Sequence, residues 1–595
     1  MEFSEIFQWS TLIPWILGMV FGIFVGATPG LTATMAVALI VPLSYYLPAN
    51  AGLALIIGVS FTAIFAGDIP ATYLRIPGTP ASAAATLDGY QMARQGKGYR
   101  ALCLDLWCSC LGGLIGVGLL MAVAPQLARL ALKFSSFEYF WLALFGLSMS
   151  AVVSAGHTFH GLMAATFGML LSTIGLDIVS GAQRFTYGLT ELMDGVQFIP
   201  VMIGLFGLSE VMRHLWAPDS DTGGSSRADV AALSSRQGPS LFTSLWGQKR
   251  LIGQSSLLGT LIGALPGAGA DIAAWGSYGL AQKTSQEPER FGKGSEEGVI
   301  APTSANNAAV AGAWIPALVF GIPGDAVTAI VLGALMVYDI KPGPMVFEQS
   351  GGQVQAIFMI ALITQCLLLP AGWIGIRTFD RLLKCPRRFI LTAVVLFSVV
   401  GAYSLQSSLF DVGIMIGFGC LGFLLERCAI PLAPLILGLI LGPMVEKNLR
   451  TGLIKTEGDW LPFINRPFCL ILFCLLSALL IGPWVYRRRG VYYLSWSTGN
   501  THRIVYATAS RVDGPYTYRG VLSHPVRGWT HHHSVLEVGD DEWLFFYHDT
   551  RRSGLTHLRD AKFAPLRHRA DGSVVPIRHH YADGKPAELK LEAGG

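Results

Sequence analysis

Charge is what this sequence is short of. Only 13% of its 595 residues are charged, while 52% are hydrophobic and the mean hydropathy is +0.50. Soluble domains carry about 25% charged residues, so the composition excludes a soluble globular chain and points to an integral membrane protein. The formal net charge of +4 is too small over this length for a nucleic-acid-binding surface. Paired cysteines are missing too. None of the nine forms a C-x-x-C pair, and no His-rich cluster accompanies them. Cys103, Cys108, Cys110, Cys366, Cys420, Cys428, Cys469 and Cys474 lie in or beside apolar runs, where cysteine behaves as a small hydrophobe. A disulfide framework and a zinc site are both excluded on that pattern, and no cofactor is called for. The N-terminus carries Glu2 and Glu5 and lacks the basic start of a cleaved signal peptide. The first apolar run is therefore expected to remain as a helix. His157 and His160 have no partner cluster and receive no role.

What the sequence does have is a duplication. Gly22-x-x-x-Gly26-x-x-Pro29-Gly30 returns as Gly259-x-x-x-Gly263-x-x-Pro266-Gly267, and each copy is followed by a second break, Ile76-Pro77-Gly78 and Ile322-Pro323-Gly324. Proline removes a helix hydrogen bond and glycine lets the chain turn away. In hydrocarbon such breaks are tolerated only where protein or a water-filled cavity satisfies the freed groups. Interrupted segments at corresponding places in two halves are the sequence mark of a transporter's binding site.

In order, residues 11–29 form the first span. Leu31–Leu47, interrupted by Pro42, suits a short re-entrant helix. Ala51–Phe65 leads through Gly67-Asp68-Ile69-Pro70 to the first Ile-Pro-Gly. The polar segment from Leu87 to Lys97 is read as leaving the membrane. Further spans follow at 111–131, 139–153, 162–176 and 199–211. The second half repeats the plan from Leu251, with Val299–Phe320 read as a small-residue helix broken at Ala301-Pro302 and a last span at Pro467–Val485. The expected domains are a first transporter repeat at 1–215, a polar linker at 216–250, a second repeat with the final transmembrane helix at 251–486, and a soluble β fragment at 487–595. The expected fold is an all-α polytopic membrane protein of two inverted repeats with broken or re-entrant helices, about 10–12 transmembrane helices, and a small incomplete β tail.

A half-helix starting at Leu31 or Ala268 turns its free N–H groups and positive dipole end back toward the break, which suits an anion. Thr32, Thr34 and Thr79 add hydroxyl donors. The substrate-binding set read from the breaks is Pro29, Gly30, Leu31, Thr32, Thr34, Arg75, Pro77, Gly78, Thr79, Pro266, Gly267, Ala268, Gly269, Asn306, Asn307, Pro323 and Gly324. Arg75 suits either a fork for a carboxylate or a side chain reaching to the headgroups. Asn306 and Asn307 suit a substrate, a cation or helix–helix hydrogen bonding. Asp68, Asp271 and Asp325 sit at or beside the breaks. Intramembrane carboxylates are costly and mark function, so these three are candidates to couple transport to Na⁺ or H⁺; each is otherwise a helix cap.

Gly26-Ala27-Thr28-Pro29-Gly30-Leu31-Thr32-Ala33, Pro77-Gly78-Thr79-Pro80-Ala81, Leu87-Asp88-Gly89-Tyr90, Pro288-Glu289-Arg290-Phe291-Gly292-Lys293-Gly294, Ala305-Asn306-Asn307-Ala308 and Gly321-Ile322-Pro323-Gly324 together resemble the large membrane subunit of tripartite tricarboxylate transporters, TctA, over roughly residues 1–483. The resemblance implies a multi-pass permease of the bacterial inner membrane, working with a small membrane subunit and a periplasmic solute-binding protein. It also implies ion-coupled uptake of citrate-like carboxylates. Thr303 stands where the family usually has an acidic residue.

The tail has another likeness. Gly482-Pro483-Trp484, Tyr492-Tyr493-Leu494-Ser495, Gly514-Pro515-Tyr516, His531-His532-His533-Ser534 and Phe546-Tyr547-His548-Asp549 resemble later blades of a glycoside hydrolase family 43 β-propeller. In that family the general acid is a Glu just before the Gly-Pro-Trp, where this chain has Ile481, and the base lies outside the matching stretch. The resemblance thus implies a catalytically dead fragment joined by gene fusion, with His533 at the central-channel position. A membrane-anchored glycosidase is the alternative to a permease, and the missing carboxylates argue against it.

Overall fold

The computed structural model describes residues 3–28, 31–153, 158–177, 180–216, 241–382, 387–404, 407–428, 430–481, 484–497, 503–511, 516–524, 533–539, 542–549, 560–569 and 571–577. Pro29, Gly30, His157, Cys385, the centre of the polar linker, Gly482-Pro483, Gly514-Pro515 and His531-His532 fall outside them. The chain divides into one unit of Met1–Ser154 with Phe159–Gly458 and another made chiefly of Asp459–Gly595.

The first unit is helical apart from a two-stranded hairpin, β1 (Gly175–Leu176) and β2 (Gln183–Arg184). Its first half runs α1 (Trp9–Gly26), α2 (Ala33–Ser44), α3 (Ala49–Ala66), α4 (Asp68–Leu74), α5 (Ala83–Arg94), α6 (Gly98–Ala131), α7 (Ser136–Val153) and α8 (Thr158–Leu171). It closes on α9 (Phe198–Met202), a π-helical turn at Ile203–Leu208 and α10 (Ser209–Trp216). The second half runs α11 (Leu241–Gly247), α12 (Lys249–Gly263), α13 (Gly269–Thr284), α14 (Glu296–Phe320), α15 (Ala326–Val337), α16 (Val346–Gln349), α17 (Gly351–Leu382), α18 (Arg387–Ser404), α19 (Leu409–Arg427) and α20 (Leu432–Lys455).

Among the described residues, six helices are long and apolar enough to cross a membrane: Trp9–Gly26, Ala49–Leu74, Gly98–Ala131, Gly351–Phe379, Leu409–Arg427 and Leu432–Lys455. Shorter apolar helices accompany them, Ala33–Ser44 and Ala326–Val337 among them. Twelve residues rise only about 18 Å, short of a hydrocarbon core of about 30 Å. The protein is thus an all-α polytopic membrane protein whose breaks divide apolar sequence into half-length pieces.

Small residues set the packing. A Cβ added to Gly26 would stand 2.3 Å from the Ala63 carbonyl oxygen, and one added to Gly263 would stand 2.2 Å from that of Ala309. Gly22 and Gly259 approach Val59 and Ala305 in the same way. Each Gly-x-x-x-Gly therefore lets α1 lie directly on α3, and α12 on α14. Those two supporting helices are the innermost of the unit: Ala51–Ala66 and Gly298–Phe320 are buried on every face. Neither stretch carries a charged residue, so each can be enclosed on all sides.

Two expectations about these elements are corrected. The break expected at Ala301-Pro302 does not occur, since α14 is continuous with Pro302 and Pro316 inside it. Pro302 falls in the second turn, where it forfeits one intrahelical bond, and α6, α12 and α13 enclose the helix. The polar segment from Leu87 is helical to Arg94 and buries Asp88, Gly89, Met92 and Ala93. The last apolar helix is Pro467–Ile481, with strand structure already under way at Trp484.

The second unit holds α21 (Pro462–Asn465), α22 (Pro467–Ile481) and two antiparallel sheets. One orders β3 (Trp484–Arg488), β4 (Val491–Ser497), β5 (Ile504–Ala509) and β6 (Thr517–Ser523). The other orders β7 (Ser534–Gly539), β8 (Glu542–Asp549) and β9 (Asp560–Leu566). Tyr486 and Tyr493 stack at 4.9 Å over a core that includes Trp543, Phe545 and Leu566.

Candidate functional site

In each half the Ile-Pro-Gly break is built by the same bonds. Ile76 N–H reaches the Pro70 carbonyl at 3.5 Å and Ile322 N–H reaches that of Pro316 at 3.3 Å. Both turns pass through a left-handed residue, Arg75 at φ 58° and Gly321 at φ 69°. That conformation costs a non-glycine residue about 1–2 kcal/mol, and Arg75 bears it with its guanidinium 5.7 Å over the Tyr90 ring. The breaks also share a close approach. A Cβ on Gly78 would stand 2.2 Å from the Gly26 carbonyl oxygen, and one on Gly324 would stand 2.6 Å from that of Gly263. In both halves, then, the second glycine of Gly-x-x-x-Gly meets the glycine of Ile-Pro-Gly.

A polar residue stands directly after each break. Asp325 accepts the Thr328 N–H at 2.8 Å, and the Thr328 hydroxyl closes a capping box on α15. The Thr79 and Ser82 hydroxyls are 2.9 Å apart at the corresponding turn. In the second half the two breaks touch directly: Gly267 N–H donates to the Gly324 carbonyl at 2.8 Å. Gly267 takes φ 81°, and a Cβ there would meet the Ser150 backbone of α7 at 2.4 Å.

The halves then interlock. α2, after the first Pro-Gly, packs against α15, and α13, after the second, packs against Pro80–Ser82 and α5. Asn306 Nδ2 of α14 donates to Asp68 Oδ2 at 3.3 Å, and Asn307 N–H donates to Asn306 Oδ1 at 2.6 Å. Asp68, Asn306 and Asn307 are all buried. Asp68 stands one residue past Gly67, whose carbonyl accepts the Gly78 N–H at 3.0 Å. The structure thus gathers Asp68, Gly78, Thr79, Asn306 and Asn307 at one junction, and Pro266, Gly267, Ala268, Gly269, Pro323, Gly324 and Asp325 at another.

Elsewhere in the expected set, Leu31 is buried and Thr32 caps α2 by accepting the Met35 N–H at 3.2 Å. Thr34 is half-buried, Asp271 is exposed in the first turn of α13, and Arg75 and Pro77 are exposed. Pro29 and Gly30 lie outside the described residues. Sequence reading missed Asp105, which is 1% exposed on α6 and within hydrogen-bonding reach of Asp68. Its signal was present: one acidic residue inside the apolar run of Gly98–Ala131. It also missed the role of Asp88, whose carboxylate accepts the N–H groups of Gly292, Gly294 and Ser295 and the Tyr278 hydroxyl.

Known proteins match the two parts of the chain separately. Residues 12–437 match the tripartite tricarboxylate transporter TctA family, and residues 478–574 match glycosyl hydrolases family 43. An Agrobacterium vitis protein described as "Uncharacterized 52.8 kDa protein in TAR-I ttuC' 3'region" is 35% identical over 78% of this chain and 92% of its own length. A xylosidase/arabinosidase of Bacteroides ovatus is 45% identical to the tail, over 14% of this chain and 25% of that protein. The crystal structure of a GH43_1 enzyme from Xanthomonas citri is 55% identical, with a TM-score of 0.16, over 16% of this chain and 30% of that one. The tail therefore spans less than a third of the glycosidases it resembles. By its match over residues 12–437, this chain belongs to the tripartite tricarboxylate transporter TctA family and carries a glycosyl hydrolase family 43 fragment at its C-terminus.

Proposed function

We propose that the chain is the permease subunit of a tripartite secondary transporter that takes up tricarboxylates or related carboxylate anions across the bacterial inner membrane. The carrying observation is the matched pair of backbone breaks, fastened within the second half by Gly267 N–H to Gly324 O at 2.8 Å. Around them α2 and α15 start as half-length helices and α13 as a 16-residue one, and a helix N-terminus offers free N–H groups and positive potential to an anion. In this reading the repeats have opposite membrane orientation, and the substrate lies among Thr32, Thr34, Thr79, Gly267, Ala268, Gly269 and the Ile-Pro-Gly turns. Arg75 is its entry-side fork. Asp68, Asp271 and Asp325 supply the coupling to Na⁺ or H⁺.

Capture falls to a periplasmic solute-binding protein, and a small membrane subunit completes the complex. The glycosidase-like tail has no catalytic part in this reading, because Ile481 stands where that family's general acid would be and the base is outside the matched stretch. Uptake of radiolabelled citrate by membrane vesicles carrying the full tripartite set tests the proposal. Accumulation that needs this chain and an ion gradient supports it; equal accumulation without the chain removes it.

A further inference from the structure

Asp68 and Asp105 reach the same buried point from different helices. Each is 1% exposed, and their carboxyl groups are within hydrogen-bonding reach of each other. One oxygen of each is served: Asp68 Oδ2 accepts from Asn306 Nδ2 at 3.3 Å, and Asp105 Oδ1 accepts from the Ser109 hydroxyl at 3.2 Å. The other two oxygens, Asp68 Oδ1 and Asp105 Oδ2, are buried and meet no N–H or hydroxyl donor among the described residues.

The neighbours are neutral or engaged elsewhere. Arg100, on the same helix as Asp105, is 2.6 Å from Glu296 and donates to the Ser244 hydroxyl at 2.8 Å. Cys103 and Cys108 on α6, Ser82 after the first break, and Asn306 and Asn307 on α14 are the other groups around the pair. Asp88 on α5 is engaged by Tyr278 and three backbone N–H groups. Two ionised carboxylates pressed together in a low-dielectric interior repel strongly, whereas a carboxyl and a carboxylate share a proton well.

Asn306 decides between a proton and a metal cation. The Asn307 backbone N–H can only donate, and it does so to Asn306 Oδ1 at 2.6 Å. The amide is thereby fixed with its NH₂ group, not its carbonyl, toward Asp68. Hard cations such as Na⁺ need a shell of oxygen ligands, and an amide NH₂ is the wrong polarity for one. It suits an acceptor carboxylate beside a protonated partner.

Building on the transport reading, we propose that Asp68 and Asp105 form the proton-carrying site of this permease, holding one proton between Asp68 Oδ1 and Asp105 Oδ2. Release leaves both groups ionised, with Asn306 and Ser109 as donors, beside the Gly67–Gly78 contact at the first break. Proton occupancy would thereby be tied to the geometry of that break.

The test has two arms. Infrared difference spectroscopy on the full chain in lipid should give a carboxylic-acid C=O band at neutral pH that shifts down in D₂O and is absent from the Asp68→Asn, Asp105→Asn double variant. No such band in the unaltered protein, or the same band in the double variant, overturns the site whatever transport does. In vesicles with the tripartite set, an inward gradient of about one pH unit is a tenfold proton-activity ratio, so it should raise citrate accumulation up to about tenfold per coupled proton. Asp105→Asn should lose that rise while citrate–citrate exchange persists. Retention of the rise at normal membrane levels overturns the proton role. Absence of citrate uptake by the unaltered complex counts against the transport reading and leaves the infrared result standing.

Discussion

Asp88 Oδ1 in the first half lies 2.8 Å from the backbone nitrogen of Gly294 in the second, and the same oxygen accepts the Ser295 N–H at 2.8 Å. Oδ2 takes the Tyr278 hydroxyl at 2.8 Å and the Gly292 N–H at 3.0 Å. One carboxylate on α5 thus fastens the turn that leads into α14. Gly292 at φ 77° and Gly294 at φ 102° let that turn aim its N–H groups inward, a conformation open mainly to glycine.

Asp88→Asn should lower stability by roughly 2–4 kcal/mol, since it removes charge-assisted bonds and sets an NH₂ against N–H donors. Tyr278→Phe should cost only about 1 kcal/mol. Melting of the purified protein, with proteolysis at Lys293 as the local readout, checks both. A melting curve for Asp88→Asn that overlays the unaltered protein would refute the clasp.

Gly78→Ala and Gly324→Ala place a methyl 2.2 Å and 2.6 Å from backbone atoms of the neighbouring helix. Backbone there cannot swing aside, so each should destabilise by about 1–3 kcal/mol or more and suppress uptake. Gly118→Ala, with nothing within 4 Å of the new methyl, is the control and should be neutral or slightly stabilising. Equal behaviour of all three would show that the close approach at the breaks has no importance.

For Asp325 the cap and the coupling role separate cleanly. Asparagine is as good an N-cap as aspartate, so Asp325→Asn should leave stability nearly unchanged while Asp325→Ala costs about 1 kcal/mol. Should Asp325→Asn also keep normal uptake and ion dependence, Asp325 is a cap and nothing more. Lost coupling in a stable Asp325→Asn protein assigns it to the ion pathway. The exposed Asp271 has no such cap, and Asp271→Asn should alter ion dependence without altering membrane levels.

The tail should hydrolyse no aryl xyloside or arabinoside. General acid–base help is worth roughly 10²–10⁴-fold, and in this reading both groups are missing. Among the described residues β3, β6, β7 and β9 each pair through the sheet with one neighbour only, and such edges favour fraying and proteolysis. A chain ending at Ile481 should therefore keep full citrate uptake. Failure of that shortened protein at normal membrane levels would give the tail a docking or regulatory task.

The breaks were legible because proline and glycine constrain the backbone wherever they stand. Asp325-x-x-Thr328 before an apolar run is likewise a readable cap. Proximity across the halves was not readable. Asp68 and Asn306 are separated by 238 positions, and no local pattern predicts their bond. Asp105 carried a signal of its own, a lone acid in a 34-residue helix, but nothing local tied it to Asp68. Pro302 misled because its effect on α14 depends on the helices that enclose it, which local sequence does not describe.

The crossed packing of α2 on α15, and of α13 on the turn at Pro80–Ser82, has a consequence for how the chain can be assembled. The same exchange recurs further along. A Cβ on Gly204 would meet the Met415 carbonyl at 2.4 Å, and one on Gly438 would meet that of Ala165 at 2.2 Å. Each half thus leaves apolar surface that only the other half covers, which makes the two halves obligate partners. Splitting the gene between Trp216 and Leu241 should recreate that obligate partnership, with each piece degraded alone and both retained when made together.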